Sequence, residues 1–178
     1  MDSDDEPSSI AVTVSADRWR TVLHDPEGIC RRAILATLGR AAPADWRGRV
    51  EVSVLLCDDA KIQELNARYR GRDGPTNVLS FPGRAPGEPE PVGMDALLLG
   101  DIVIALETAC AEAAADGKPL AAHVSHLAVH GCLHLLGHEH DDDAAAAKME
   151  ALERMILMQD LGLPDPYAAV AELSDSLA

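Results

Sequence analysis

HGCLHLLGHEH, residues 130–140, sets three histidines at offsets 0, 4 and 10, with a glycine at offset 7. It closes the run GKPLAAHVSHLAVHGCLHLLGHEH (117–140), which holds six of the seven histidines in the chain. On a helix, His126, His130, His134 and His138 fall at steps of four, along one face. A lone buried histidine is ordinarily structural, but a stripe of them in an acidic chain points to a ligand set. The pair His130/His134 has the i, i+4 spacing at which two imidazoles converge on one ion. A third ligand cannot lie much farther along the same straight helix. Residues eight apart are separated by ~12 Å along the axis, whereas metal–nitrogen bonds measure only ~2.1 Å. The helix must therefore end and the chain fold back. Gly137 supplies the end, since glycine takes the left-handed C-cap conformation at little cost. His140 then returns toward the pair, with His138, nearer the break, as the rival third ligand.

Three neutral nitrogens favour zinc over magnesium or calcium, although nickel, iron and copper also accept such a set. Three protein ligands with a fourth position open is the catalytic pattern, whereas structural zinc takes four. Water in that position would ionise near pH ~7, which points to a hydrolase. Each ligand's far nitrogen needs a carboxylate or carbonyl partner, and Glu139, Asp101 and Glu107 are the candidates. The offsets are those of the zinc-protease pattern HExxHxxGxxH, in which the glutamate beside the first histidine is the general base. Here that position is Gly131. The ligand spacing is kept, the proteolytic base is absent, and the expected substrate is something other than a peptide.

Around this block the chain reads as one domain of 178 residues, with ends at 1–8 and 168–178 expected to fray. Hydrophobic residues make up 47% of it, so it is globular, but Phe81, two Tyr and two Trp are its only aromatics. The net charge of −15 disfavours general adhesion to nucleic acid and leaves room only for a local basic site. The opening MDSDDEPSSI has no basic or apolar signal region, and no apolar run reaches membrane-spanning length, so a cytoplasmic protein without membrane contact is expected. Cys30, Cys57, Cys110 and Cys132 are scattered and read as small buried hydrophobes in a reducing compartment.

Strands are expected at IAVTV (10–14), VEVSVLL (50–56), NVLSFP (77–82) and LLLGDIVIAL (97–106), and helices at 26–40, from the Asp58/Asp59 cap to Tyr69, 107–116, 120–137 and 141–162. RGRDGPT (70–76) is turn chemistry, and residues 83–97, with three prolines and three glycines, form a loop. Interleaved strands and helices give an α+β (α/β-like) fold: a small mixed sheet of about four strands packed against several helices, with a metal-binding helix of the zincin kind.

Four stretches together carry a resemblance to a known family: LNARYRGRDGPTNVLSFP (65–82), LLGDIVIA (98–105), the histidine run 117–140, and the closing helix down to DPY (165–167). They closely resemble the YbeY family of bacterial ribosomal-RNA maturation endoribonucleases, over roughly residues 48–167. The chain has Glu139 where the family usually has aspartate. The resemblance implies a zinc-dependent, single-strand-specific endoribonuclease acting in 16S rRNA 3′-end maturation and ribosome quality control. It places one zinc per chain on His130, His134 and His140, and marks Arg70 as important for activity. The implied partners are single-stranded precursor rRNA, the small ribosomal subunit and its assembly proteins, not DNA.

The chemistry agrees. A phosphodiester needs a cation where charge builds on its non-bridging oxygens, and a guanidinium matches phosphate in a fork that lysine lacks. Arg68, Arg70 and Arg72 form the best local basic cluster, with Arg84 nearby. The expected reaction is attack by metal-activated water, or by the RNA 2′-hydroxyl, on a phosphate held by Arg70. Two other readings remain: a ribosome-assembly factor without enzymatic activity whose zinc is structural, and a zinc metallopeptidase.

Overall fold

The structure, a computed structural model, describes residues 8–46, 48–85, 87–89 and 96–168. The expected frayed ends therefore lie outside the described residues except for Ser8 and Ala168. In chain order the elements are β1 (Ser9–Val14), α1 (Arg18–Val22), α2 (Pro26–Ala41), a 3-10 turn (Ala44–Trp46), β2 (Val50–Cys57), α3 (Asp59–Arg70), β3 (Val78–Pro82), β4 (Leu97–Ala105), α4 (Leu106–Ala115), α5 (Leu120–Leu135) and α6 (Asp143–Arg154), the last continuing into a π-helical turn (Met155–Asp160). The four strands form one mixed sheet in the order β1-β2-β4-β3. β1, β2 and β4 run parallel, and β3 lies antiparallel along the β4 edge. This is the α+β architecture expected from the alternation of strand and helix patterns. None of the described helices is long and apolar enough to cross a membrane.

Strand alternation sorts the core onto one face of the sheet. Val50, Val52, Val54 and Leu56 of β2 join Ile102 and Ile104 of β4 there, under Ile34 and Leu38 of α2 and Val124, Leu127, Ala128 and Leu133 of α5. The opposite face carries a smaller cluster, Cys57, Leu79, Val103 and Ala105, covered by Ile62 of α3. α3 starts on Asp58, whose carboxylate accepts from Lys61 N at 2.9 Å, and stops at Gly71 in the left-handed conformation. α1, a short helix not anticipated from the sequence, buries Trp19 completely and points its indole N–H at Cys57 O, 2.9 Å away. The four thiols are free, and burial pushes those of Cys30, Cys57 and Cys132 up to about 12, as suits packing residues.

Two glycines fix how β3 and α5 meet the rest of the sheet. Gly100 sits at a bulge where β4 carries one extra residue against β2, since Glu51 pairs Leu98 but Val52 pairs Gly100. Its φ is 142°, and a Cβ there would come within 2.3 Å of Phe81 O. Gly131 is buried on α5 where the helix crosses the sheet, and a Cβ would lie 2.9 Å from Ile102 Cγ2 and 3.2 Å from Ser80 Oγ. The Ser80 hydroxyl uses this closeness to donate to Gly131 O at 3.1 Å. Gly131 thus does more than remove a proteolytic base: it lets the histidine helix lie directly on β3 and β4.

Candidate metal centre

α5 ends in a Schellman motif built by the residues between the second and third histidines of the spacing. Gly137, at φ 91°, donates its N–H to His134 O (3.0 Å), and His138 N–H returns to Leu133 O (3.0 Å). The chain reverses there, as the spacing requires. His130, His134 and His140 are brought together so that one ligand atom from each lies within 4.8 Å of the others. His130 Nε2 and His134 Nε2 are 3.1 Å apart. Two nitrogens on one tetrahedral ion at ~2.1 Å sit about 3.4 Å from each other, so the pair needs only a small adjustment to share an ion. The His140 ring closes the group, 5.7 Å from His130 and 4.9 Å from His134 between centroids. His138 is not among the converging residues; its backbone serves the helix end.

Desolvation, then the neighbouring His130, holds His134 below its ordinary value, which favours the neutral imidazole that a metal ligand must be. For His130 the deciding group is Glu153, a residue of α6 that is 1% exposed. Glu153 Oε1 lies 2.7 Å from His130 Nδ1, which places the ring proton on Nδ1 and leaves Nε2 to face His134. Oε2 takes His126 Nε2 at 3.0 Å and the Tyr167 hydroxyl. Burial alone would push this carboxyl up, but hydrogen bonds from His126, His130 and Tyr167 together outweigh it and bring it to about 2. It is a buried anion with three donors, satisfied on both oxygens.

The expected carboxylate partners need correcting. Glu139 stands 3.7 Å from His134 Nδ1, a loose contact on an exposed side chain. Glu107 instead accepts from Asp59 N at 2.8 Å and pairs with Arg18 at 3.6 Å. Asp101 lines a groove beneath α3, on the sheet face away from the main core. Glu153, within the helix expected over 141–162, is the partner that sequence reasoning missed. The signal was present: Met149, Glu153, Ile156 and Leu157 form the buried stripe of that segment, and one carboxylate interrupts it.

Arg70 is the last residue of α3, outside the histidine group. Its Nη2 donates to Ser80 O at 2.7 Å, and its guanidinium lies 5.7 Å from the Phe81 ring centre. Since Ser80 Oγ in turn holds Gly131 O, the next carbonyl after His130, β3 links the arginine to the metal helix. The turn between them is braced by Asn66 on Gly74 O (2.9 Å) and Gln63 on Asp73 (3.2 Å).

Comparison with known proteins identifies the family. The family model described as Endoribonuclease YbeY matches residues 29–160. An Endoribonuclease YbeY of Paramagnetospirillum magneticum is 48% identical over 158 residues, covering 89% of this chain and 94% of the relative. One from Rhodopseudomonas palustris strain BisB18 is 49% identical over 164 residues, covering 91% and 94%. Among solved structures, a Thermotoga maritima protein determined in solution matches with a TM-score of 0.50 at 20% identity, over 89% of this chain and 99% of that one, a likeness of fold. The chain belongs to the YbeY endoribonuclease family.

Proposed function

We propose that this protein is a zinc-dependent endoribonuclease that cuts single-stranded RNA, with the 3′ end of precursor 16S rRNA as its substrate and the assembling small subunit, in the cytoplasm, as its setting. The observation that carries the reading is the convergence of His130, His134 and His140 beside a buried Glu153 that fixes the tautomer of the first. All-nitrogen donors in this number suit one zinc ion per chain and leave room for substrate. When bound, the ion would supply Lewis acidity toward a phosphate oxygen and toward water.

The protein's own groups do the rest. Arg70 has one guanidinium nitrogen committed to Ser80 O, which orients the fork while leaving other N–H groups for a phosphate. The guanidinium offsets charge building on the non-bridging oxygens as the phosphodiester is attacked. Glu153 keeps the His130 proton on Nδ1 throughout, through a hydrogen bond that cannot swing because the carboxylate is buried and held by two further donors. Gly131 disfavours the peptidase reading, because a glutamate there would have to enter the contact between α5, Ile102 and Ser80. The structural-zinc reading needs a fourth protein ligand, and His138 does not join the group.

The test is cleavage of single-stranded RNA spanning the 16S 3′ end, beside the matching duplex and the DNA of the same sequence. Cutting of the single strand alone, abolished by chelator, is expected. Duplex or DNA cleavage at a similar rate, or cleavage indifferent to chelation, would overturn the proposal.

A further inference from the structure

β3 separates two surfaces of different chemistry. Ser80 faces α5 and the histidine group, while its neighbour Phe81 faces the other side of the sheet. There, between α3 and the uncovered part of the sheet, lies a groove of about 500 Å³. Tyr69 and Phe81 form one wall, their rings edge-to-face at 5.5 Å, and Tyr69 is 57% exposed. Leu65, Leu55 and Val103 add apolar lining, and Thr13, Ser53 and Asp101 supply polar atoms. Asp101 is the direct antiparallel partner of Phe81 and the parallel partner of Ser53, so carboxylate, hydroxyl and aromatic ring sit side by side. The rim is cationic in a chain of net charge −15: the Arg68 guanidinium stands 5.3 Å from the Tyr69 ring and that of Arg70 5.7 Å from Phe81.

An exposed aromatic ring backed by a second one, an apolar lining, a few hydrogen-bonding groups and guanidinium groups nearby are what an unpaired nucleobase on a phosphate chain requires. A purely apolar partner would leave Asp101, Ser53 and Thr13 unpaired, and a phosphate alone would gain nothing from the rings. We propose that this groove holds an unpaired base of the RNA strand, stacked on Tyr69 with Phe81 at its edge, with the strand passing over Arg70 and the edge of β3 to the histidine centre. The inference rests on the ribonuclease reading above. Asp101 accepts hydrogen bonds only, so it favours bases that present an exocyclic amino group, cytosine, adenine and guanine, over uracil, which offers only its ring N3–H.

The experiment measures binding of the zinc-loaded protein to short 2′-O-methyl oligo(C), oligo(A) and oligo(U), which resist cleavage, by fluorescence anisotropy. Tyr69→Ala is expected to weaken oligo(C) binding about 5- to 150-fold, the range for losing one stacked base. Tyr69→Phe, which keeps the ring, should stay within about twofold of wild type, and both variants should keep their zinc content and melting temperature. Asp101→Asn should erase the preference for oligo(C) and oligo(A) over oligo(U). Wild type that cleaves single-stranded RNA while Tyr69→Ala binds as tightly overturns the groove assignment alone. The same unchanged affinity with lost association to small-subunit particles overturns it in favour of a protein occupant. Wild type that neither binds nor cleaves RNA overturns the ribonuclease reading, and the groove assignment with it.

Discussion

Replacing Glu153 with glutamine keeps the size and shape of the side chain and changes what its two ends can do. The carboxylate accepts from three donors, His130 Nδ1, His126 Nε2 and the Tyr167 hydroxyl. An amide offers one acceptor oxygen and one NH2, so at least one former donor must turn away, change tautomer or face another donor. Breaking such a buried, charge-assisted set costs about 2–4 kcal/mol of folding stability. If the amide nitrogen faces His130, the ring proton moves to Nε2, the atom that faces His134, and zinc affinity falls about 10–100-fold. The pH dependence separates this from a general packing defect. Because the folded carboxyl is held at about 2 against an ordinary 4.5, its contribution is present above pH 4.5 and lost as the pH falls toward 2. That lowering corresponds to about 3 kcal/mol, of which more than half has gone by pH 3. Urea unfolding of metal-free wild type and Glu153→Gln from pH 6 to pH 3 should show the gap between them narrowing by about 2 kcal/mol, and competition with a zinc chelator at pH 7 should show the affinity loss. A gap that stays constant with pH, together with unchanged zinc affinity, would refute the role assigned to Glu153.

Three further perturbations bear on separate parts of the account. Gly131→Glu restores the zinc-protease residue but forces a side chain into the 2.9 Å approach of Ile102 Cγ2. It should lower stability by about 1–3 kcal/mol or more and produce no peptidase, whereas a stable variant that turns over peptides would contradict the packing argument. Arg70→Lys keeps the charge and loses the fork anchored on Ser80 O, so kcat/KM for RNA should fall about 10- to 100-fold with zinc content unchanged; an equal rate would remove Arg70 from the phosphate site. With phosphate contacts assigned to Arg68, Arg70 and Arg72, log affinity for RNA against log salt should have a slope of only about −2. A much steeper slope would mean that phosphate contacts extend well beyond this cluster.

The parts of the molecule that were legible in the sequence are those set by local chemistry. Asp58 and Gly71 delimit α3 because a carboxylate cap and a left-handed glycine act within one turn of the helix. Gly137 was readable for the same reason, and with it the return of His140 toward His130 and His134. What could not be read is what long-range packing decides. The five residues of α1 carry too short a pattern to stand out, and they hold their place because Trp19 fills the core and reaches Cys57 O. The segment expected as one helix over 141–162 begins as α6 and widens into a π turn at Met155–Asp160, where Arg40 of α2 grips Asp160 with two bonds of 2.5 and 2.6 Å. Glu153 became the partner of His130 through the packing of α6 on α5, a contact 23 residues apart in sequence. Asp101 and Glu107, near the histidine run on paper, were carried by strand alternation and the start of α4 to other surfaces.

The most direct test of the central claim uses one preparation for two readings: zinc per chain by elemental analysis, and cleavage of single-stranded 16S 3′-end RNA, in wild type and in His130→Ala, His134→Ala and His140→Ala. The account predicts one zinc in the wild type, with metal and cleavage lost together in each variant while circular dichroism shows the fold retained. Zinc bound by the wild type but cleavage unchanged in the metal-free variants would contradict it, and would leave the three histidines as the anchor of an assembly factor rather than the centre of a nuclease.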